Sequence, residues 1–183
     1  MDALTLLLNR SSQPRLVAPA PSGEALENIM QAALRAPDHA CLTPWKFVVC
    51  EGKGLDKLGN LFEQSAIDNE KSQKEIERAV QLPHRAPMVI VAIAKYVEHE
   101  KVPRVEQIAS ASCAVMAMQM AAIAQGFNGI WRSGSYAHCD TIRKAFELNE
   151  DDELVGFLYL GTPAFEASPK PQRNSSDYFE FWR

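Results

Sequence analysis

The chain has 183 residues, 46% hydrophobic and 23% charged, enough for one soluble domain that closes its core without disulfide or metal staples. Its net charge of −4 offers no general attraction to nucleic acid, so basic residues must act locally. Cys41, Cys50, Cys113 and Cys139 share no C-x-x-C spacing, which gives no support to a zinc site or a disulfide framework and fits reduced thiols in a cytoplasmic protein.

Asp2 predicts an N-cap for a first helix with Leu4, Leu7 and Leu8 at helical spacing, stopped by Pro14 after Arg10 to Ser12. An acid ahead of the apolar run is not the start of a secretory signal. Ser22 reads as the N-cap of a second helix from Gly23 to about Arg35, with Leu26, Ile29, Met30, Ala33 and Leu34 on one face and Pro37 ending it. After a loop to Thr43, Trp45 to Cys50 has the Phe and Val content of a buried strand. Lys53 to Gln81 reads as two weakly amphipathic helices over a solvated surface, joined by a mobile Asp68-Asn69-Glu70-Lys71 connection.

Met88 to Ala94 is a continuous apolar run of strand length. Val105 to Gln125 predicts the longest helix, ended by Gly126 as a left-handed cap, and its apolar part from Ala109 is too polar and too short to span a bilayer. Gly129 to Arg132 predicts a short strand, Ala137 to Phe146 a helix and Leu154 to Leu160 a further strand. This alternation points to an α+β or mixed three-layer arrangement, with helices covering the sheet. The tail from Thr162 ends in Tyr178-Phe179-Glu180-Phe181-Trp182, aromatics that are costly to leave wet and so are expected to dock on something.

Three stretches place a guanidinium among small, hydroxyl or glycine residues: Asn9-Arg10-Ser11-Ser12, Arg35-Ala36-Pro37-Asp38-His39 and Gly126 to Gly134. Forked donors beside hydroxyls and open backbone N–H groups suit a phosphate or an electron-rich planar ligand. Each also has a plain structural alternative: a solvated helix end at Arg10, an exposed loop histidine at His39, and glycines serving as helix cap and strand entry at Gly126 and Gly129. Met116, Met118 and Met120 read as core packing, while the small residues Ala109, Ser110, Ala114, Ala117 and Ala121 allow a second helix to approach closely. His138-Cys139-Asp140 lacks partners at metal-ligand spacing, so no metal is expected. There is no G-x-S-x-G elbow, no G-x-x-x-x-G-K-[ST] loop and no G-x-G-x-x-G after a strand.

In order along the chain, Asn9-Arg10 with Ser12, Arg35 to His39, Pro44-Trp45, Arg85-Ala86-Pro87, Lys101 to Arg104, Cys113 to Ala122, Gly126-Phe127, Gly129 to Gly134 and Val155 to Pro163 resemble the FMN-dependent nitroreductase family. The resemblance runs to about Pro163 and implies a single domain over 1–183, with a tail from about 164 that docks on the body or on a partner subunit. It implies an α+β fold, a three-layer α/β/α sandwich around a mixed, mostly antiparallel sheet, in an obligate homodimer with FMN at the subunit interface.

Carried onto matching positions, it implies that Arg10, Ser11 and Ser12 hold the phosphate and ribityl end, and that Arg35 lies near the cofactor. His39 would reach the flavin of the partner subunit, and Trp131, Arg132 and Ser133 would close over the phosphate and ring side. Ala121, Ala122, Ile123, Ala124, Gln125 and Gly126 match the family's nicotinamide nucleotide contact. This chain has Ser11 where the family commonly carries a second arginine. The implied activity is reduction of nitroaromatic, quinone or similar electrophilic acceptors by NAD(P)H in ping-pong order, with the flavin rather than a side chain carrying the chemistry. A flavin reductase or dehydrogenase with another acceptor, a flavin-binding protein without turnover, and a cofactor-free dimer are the alternatives; no nucleic acid or membrane partner is implied.

Overall fold

The computed structural model describes residues 2–165 and 171–183. The elements run α1 (Ala3–Asn9), β1 (Leu16–Val17), α2 (Gly23–Ala33), β2 (Trp45–Glu51), α3 (Lys53–Asp68), α4 (Gln73–Gln81), β3 (Met88–Ala94), α5 (Arg104–Ala124), β4 (Asn128–Arg132), α6 (Asp140–Ala145) and β5 (Glu153–Pro163). Asp2 caps α1 through its carboxylate, which accepts from the Thr5 amide at 3.0 Å. Ser22 occupies the N-cap position of α2 but its hydroxyl makes no capping bond, and the helix ends at Ala33 rather than Arg35.

The sheet has the order β1-β5-β3-β2, with β4 also paired to β5. Every ladder among the described residues is antiparallel, which corrects the expectation of a mixed sheet. The alternation of helix and strand misled because two helices, α3 and α4, join β2 to β3 and return the chain reversed. The strands that α5 connects, β3 and β4, are separated by β5. β1 is only two residues long and was not foreseen; its pairing with Thr162 and Pro163 defines it.

β3 is buried on both faces, and its side chains divide strictly by parity. Val89, Val91 and Ile93 enter one core with Leu55, Leu58 and Phe62 of α3, Ile142 of α6 and Phe157 of β5. Met88, Ile90, Ala92 and Ala94 enter the other with Ile29 of α2 and Ala111, Val115 and Met118 of α5. Helices on both faces make the three layers α/β/α.

Three local expectations are corrected. β2 lies at the sheet edge and buries only Cys50 fully. α3 is a core helix, burying Leu55, Leu58, Gly59, Phe62, Ser65 and Ala66 along one stripe. The predicted helix from Ala137 breaks at Cys139, which is extended (φ −89, ψ 131) between a 3-10 turn at Ser135–His138 and α6. α5, at 21 residues, is also long and apolar enough to cross a membrane, against expectation, yet half of that span is packed inside the protein. Its buried glutamines bond to backbone: Gln107 to the Val97 carbonyl at 2.7 Å and Gln119 to that of Gly129 at 2.7 Å. In the tail, Tyr178, Phe179, Phe181 and Trp182 stay exposed within the single chain; residues 166–170 lie outside the described part.

Asp152, buried before β5, ties its own loop to the loop that follows β3. Its carboxylate takes the Lys95 ammonium and the amides of Tyr96 at 2.9 Å and Asn149 at 2.8 Å. Burial pushes its pKa up, but these donors outweigh burial and hold it below the usual 3.8. The resulting stabilisation is complete above the ordinary aspartate range and is lost as pH falls through the depressed folded value. Asp152→Asn is expected to lower stability at pH 7 by about 1–3 kcal/mol and to flatten the acid limb of thermal midpoint against pH; a parallel limb in the variant would assign acid sensitivity elsewhere.

Candidate functional site

The chain leaves α5 through a left-handed Gly126 (φ 86), with Gly126 N bonded to Ile123 O and Phe127 N to Ala122 O, each at 3.0 Å. This closure starts β4 and uses the backbone of the predicted nucleotide-contact stretch 121–126 as the last turn and cap of α5. Gln125 is further tied to α2 through the Ala25 carbonyl at 3.1 Å and Asn28 at 3.0 Å. A Cβ on Gly129 would lie 2.6 Å from Tyr159 O, so this glycine serves β4–β5 packing. Gly129 is thus closed off by β5, whereas Gly126 caps α5 with open space where a side chain would be.

The outer edge of β4 is flanked by the segment after α1. Gly129 O accepts from Gln13 N at 3.0 Å and from Gln119 Nε2 at 2.7 Å, while Gln119 Oε1 accepts from Arg10 Nη1 at 3.3 Å. Arg10 is thus tethered through Gln119 to the same strand that carries Trp131 and Arg132. Ser11 is buried beside it and Ser12 is exposed.

Opposite, β5 skips one residue against β3: Ala92 pairs with Gly156 and Ile93 with Leu154, so Val155 bulges. The bulge leaves the Val155 carbonyl free to accept the Trp131 indole N–H at 3.1 Å, which lays the ring over Gly156. Gly156 has φ 142, and a Cβ there would sit 2.6 Å from both Arg132 O and Trp131 Nε1. A sheet irregularity in the core thereby fixes the tryptophan.

Arg132 points to the other face, into a cavity of about 580 Å³ that also takes in Trp131, Ser133 and Gly134. Phe62 lines it, stacked on Tyr136 with centroids 4.4 Å apart and edge-on to Phe157 at 5.0 Å. The Arg132 guanidinium lies 5.7 Å from the Tyr159 ring centre, and its buried Nε has no hydrogen-bond partner among the described residues. Burial pushes the Tyr159 phenol up to about 12, opposed by Arg132 and Arg85, so it is neutral at physiological pH.

Lys71, Arg78 and Arg85 line the same cavity and were not anticipated as site residues. The α3–α4 connection, expected to be mobile, is a closed turn: Asn69 N bonds Ser65 O at 3.2 Å, Lys71 N bonds Ala66 O at 3.0 Å, and Glu70 takes φ 51. Ser72 and Glu75 then form a capping box that starts α4. The S-x-x-E pattern was the available signal that this turn is ordered and aims Lys71 and Arg78 together.

Arg35 and His39 lie elsewhere. The loop after α2 is pinned where Ser110 Oγ donates to Pro37 O at 2.5 Å, and His39 Nδ1 meets Glu106 Oε2 at 2.8 Å. Glu106 and Gln119 are about 20 Å apart along α5 at 1.5 Å per residue. Within one protomer, then, Arg10 joins the strand of Trp131 to Ser133, whereas Arg35 and His39 do not join them.

Set against known proteins, residues 8–162 match the family model described as "Nitroreductase family". The chain is 54% identical over 168 residues, 92% of both chains, to "Putative NAD(P)H nitroreductase YdjA" of Escherichia coli (strain K12). A nitroreductase-like family protein from Bacillus cereus has a solved structure that superposes with TM-score 0.84 at 20% identity, covering 100% of this chain and 96% of that one. An FMN-dependent nitroreductase of Clostridium difficile R20291 gives 0.67 at 23% identity over 97% and 98%.

Proposed function

Because the chain belongs to the nitroreductase family of oxidoreductases, we propose that it is an FMN-dependent homodimer that uses NAD(P)H to reduce small electrophilic acceptors, nitroaromatics and quinones among them. The observation that carries the cofactor is the line of groups along β4. Arg10 and Ser12 lie at the Gly129 end, Trp131 to Ser133 lie further along, and about 13 Å of strand separates Gly129 from Ser133 at 3.3 Å per residue. Arg10 and Ser12 suit a phosphate and a ribityl hydroxyl; Trp131 to Ser133 suit the ring. The buried, unpartnered Arg132 Nε fits a planar group that brings its own acceptor atoms. The likeness to the FMN-dependent nitroreductase of Clostridium difficile adds support for FMN.

When bound, FMN supplies the two-electron relay between NAD(P)H and acceptor, and the protein's share is to bind, orient and tune it. Arg10 neutralises phosphate charge; Arg132 offers positive charge to the ring, whose reduced form is anionic near N1 and C2=O. Tyr159, held neutral, supports the Arg132 guanidinium by its ring.

The partner subunit is argued from exposed apolar surface. Leu4, Leu7 and Leu8 of α1, Met30 of α2 and Leu34 just after it, and Val105 and Met116 of α5 stand open to solvent, as do the aromatics of the tail. A two-fold that sets α5 against α5 antiparallel brings the Glu106 end of one helix beside the Gln119 end of its mate. Arg35 and His39 of one protomer would then meet Arg10 of the other.

The test has two parts. Denaturing the purified protein should release about one FMN per chain, and initial rates at varied NAD(P)H and acceptor should give parallel double-reciprocal lines, as expected when both use one cavity in turn. Protein without flavin, or intersecting lines, would count against the proposal.

A further inference from the structure

We infer that the cavity beside β4 selects an electron acceptor that itself carries negative charge, a small aromatic carboxylate or a similar aromatic anion. The inference rests on the FMN reading above and names the substrate class of that site. Lys71, Arg78, Arg85 and Arg132 line one cavity, and among the described residues none has a carboxylate within ion-pair distance. One carboxylate, Glu75, lines it with them. Glu75 is committed to the capping box, accepting from Ser72 N at 3.1 Å and Ser72 Oγ at 2.6 Å, and these bonds, with Lys71 and Arg78 at longer range, hold its carboxyl below the usual value.

Four positive charges facing one occupied carboxylate repel one another, and in a chain of net charge −4 that arrangement is not a by-product of composition. An anion between them relieves the repulsion. FMN does not consume all of this charge: its phosphate falls to Arg10, and the N1 and C2=O end of the reduced ring needs a single cation. What remains suits a carboxylate, which guanidinium forks grip in two parallel bonds. Phe62, Tyr136 and Tyr159 supply the flat apolar wall that an aromatic ring needs.

The experiment uses the purified, oxidised, FMN-loaded protein without NAD(P)H, titrated by calorimetry with 4-nitrobenzoate and with its methyl ester. The acid should bind about tenfold more tightly than the ester, and the advantage should shrink as salt screens the cavity. Arg78→Gln should bring the two ligands closer together, and Lys71→Gln, on the other side of Glu75, is the second variant; FMN released per chain is measured for each. Equal binding of acid and ester by the parent protein overturns the inference. So does a variant that loses its FMN, because the cations would then be holding the cofactor. A parent protein that purifies without FMN overturns the function proposed above, and its acid-to-ester ratio still decides the anion site.

Discussion

Arg10→Ala is expected to weaken FMN retention by about ten- to a hundredfold, the equivalent of one lost charge-assisted hydrogen bond of roughly 1.5–3 kcal/mol. Folding should hardly notice. The side chain's bond within the protomer, to Gln119 Oε1, is long at 3.3 Å, and Gln119 keeps its shorter bond to Gly129 O when the guanidinium is gone. The measurement is quenching of flavin fluorescence on titrating the flavin-stripped protein, beside thermal unfolding of the same preparation. Undiminished affinity removes Arg10 from the phosphate site, and a large fall in unfolding temperature makes it a structural residue.

Phe62→Ala should have the largest effect on stability, about 3–5 kcal/mol for removing a buried aromatic. Phe62 is only 1% exposed, stacks on Tyr136 and meets Phe157 edge-on, so its deletion leaves a void that three elements would have to close. Denaturant unfolding reads the loss directly, and a change below about 1 kcal/mol would mean that the site repacks. Since Tyr136 and Phe157 line the same cavity as Phe62, ligand affinity should fall with it.

The parts of the fold that could be read from the residues are those whose signal is local. Met88 to Ala94 is an unbroken apolar run and is a strand with those limits; Asp2 and Gly126 are caps whose chemistry is written in their type. β1 has no such signal, because two residues become a strand only when β5 lies beside them. α3 was legible and misread: Leu55, Leu58, Phe62 and Ala66 keep the helical period, but Lys53, Asp56, Lys57 and Glu63 between them suggested a wet surface. Cys139 breaks its helix where its thiol sits between Ser65 Oγ at 2.9 Å and Asn69 Nδ2 at 3.6 Å, contacts that reach across some seventy residues.

For the candidate site, Arg10 is tied through Gln119 to the start of β4, the strand that carries Trp131 and Arg132. Arg35 and His39 lie toward the other end of α5, near Glu106, so within one protomer the length of α5 separates them from Arg10. Lys71, Arg78 and Arg85 look unremarkable in a charged stretch and gain meaning only when the α3–α4 turn faces them toward β4.

β5 has a consequence for biosynthesis. It is the hub to which β1, β3 and β4 all attach, and it is made in the last fifth of the chain. Until Glu153–Pro163 clears the ribosome, β3 has only β2 at its side, and a wholly apolar strand waits with one edge unsatisfied. The nascent chain is therefore expected to be prone to aggregation up to that point. A stop codon just before Glu153 should yield an aggregate and not a smaller folded protein.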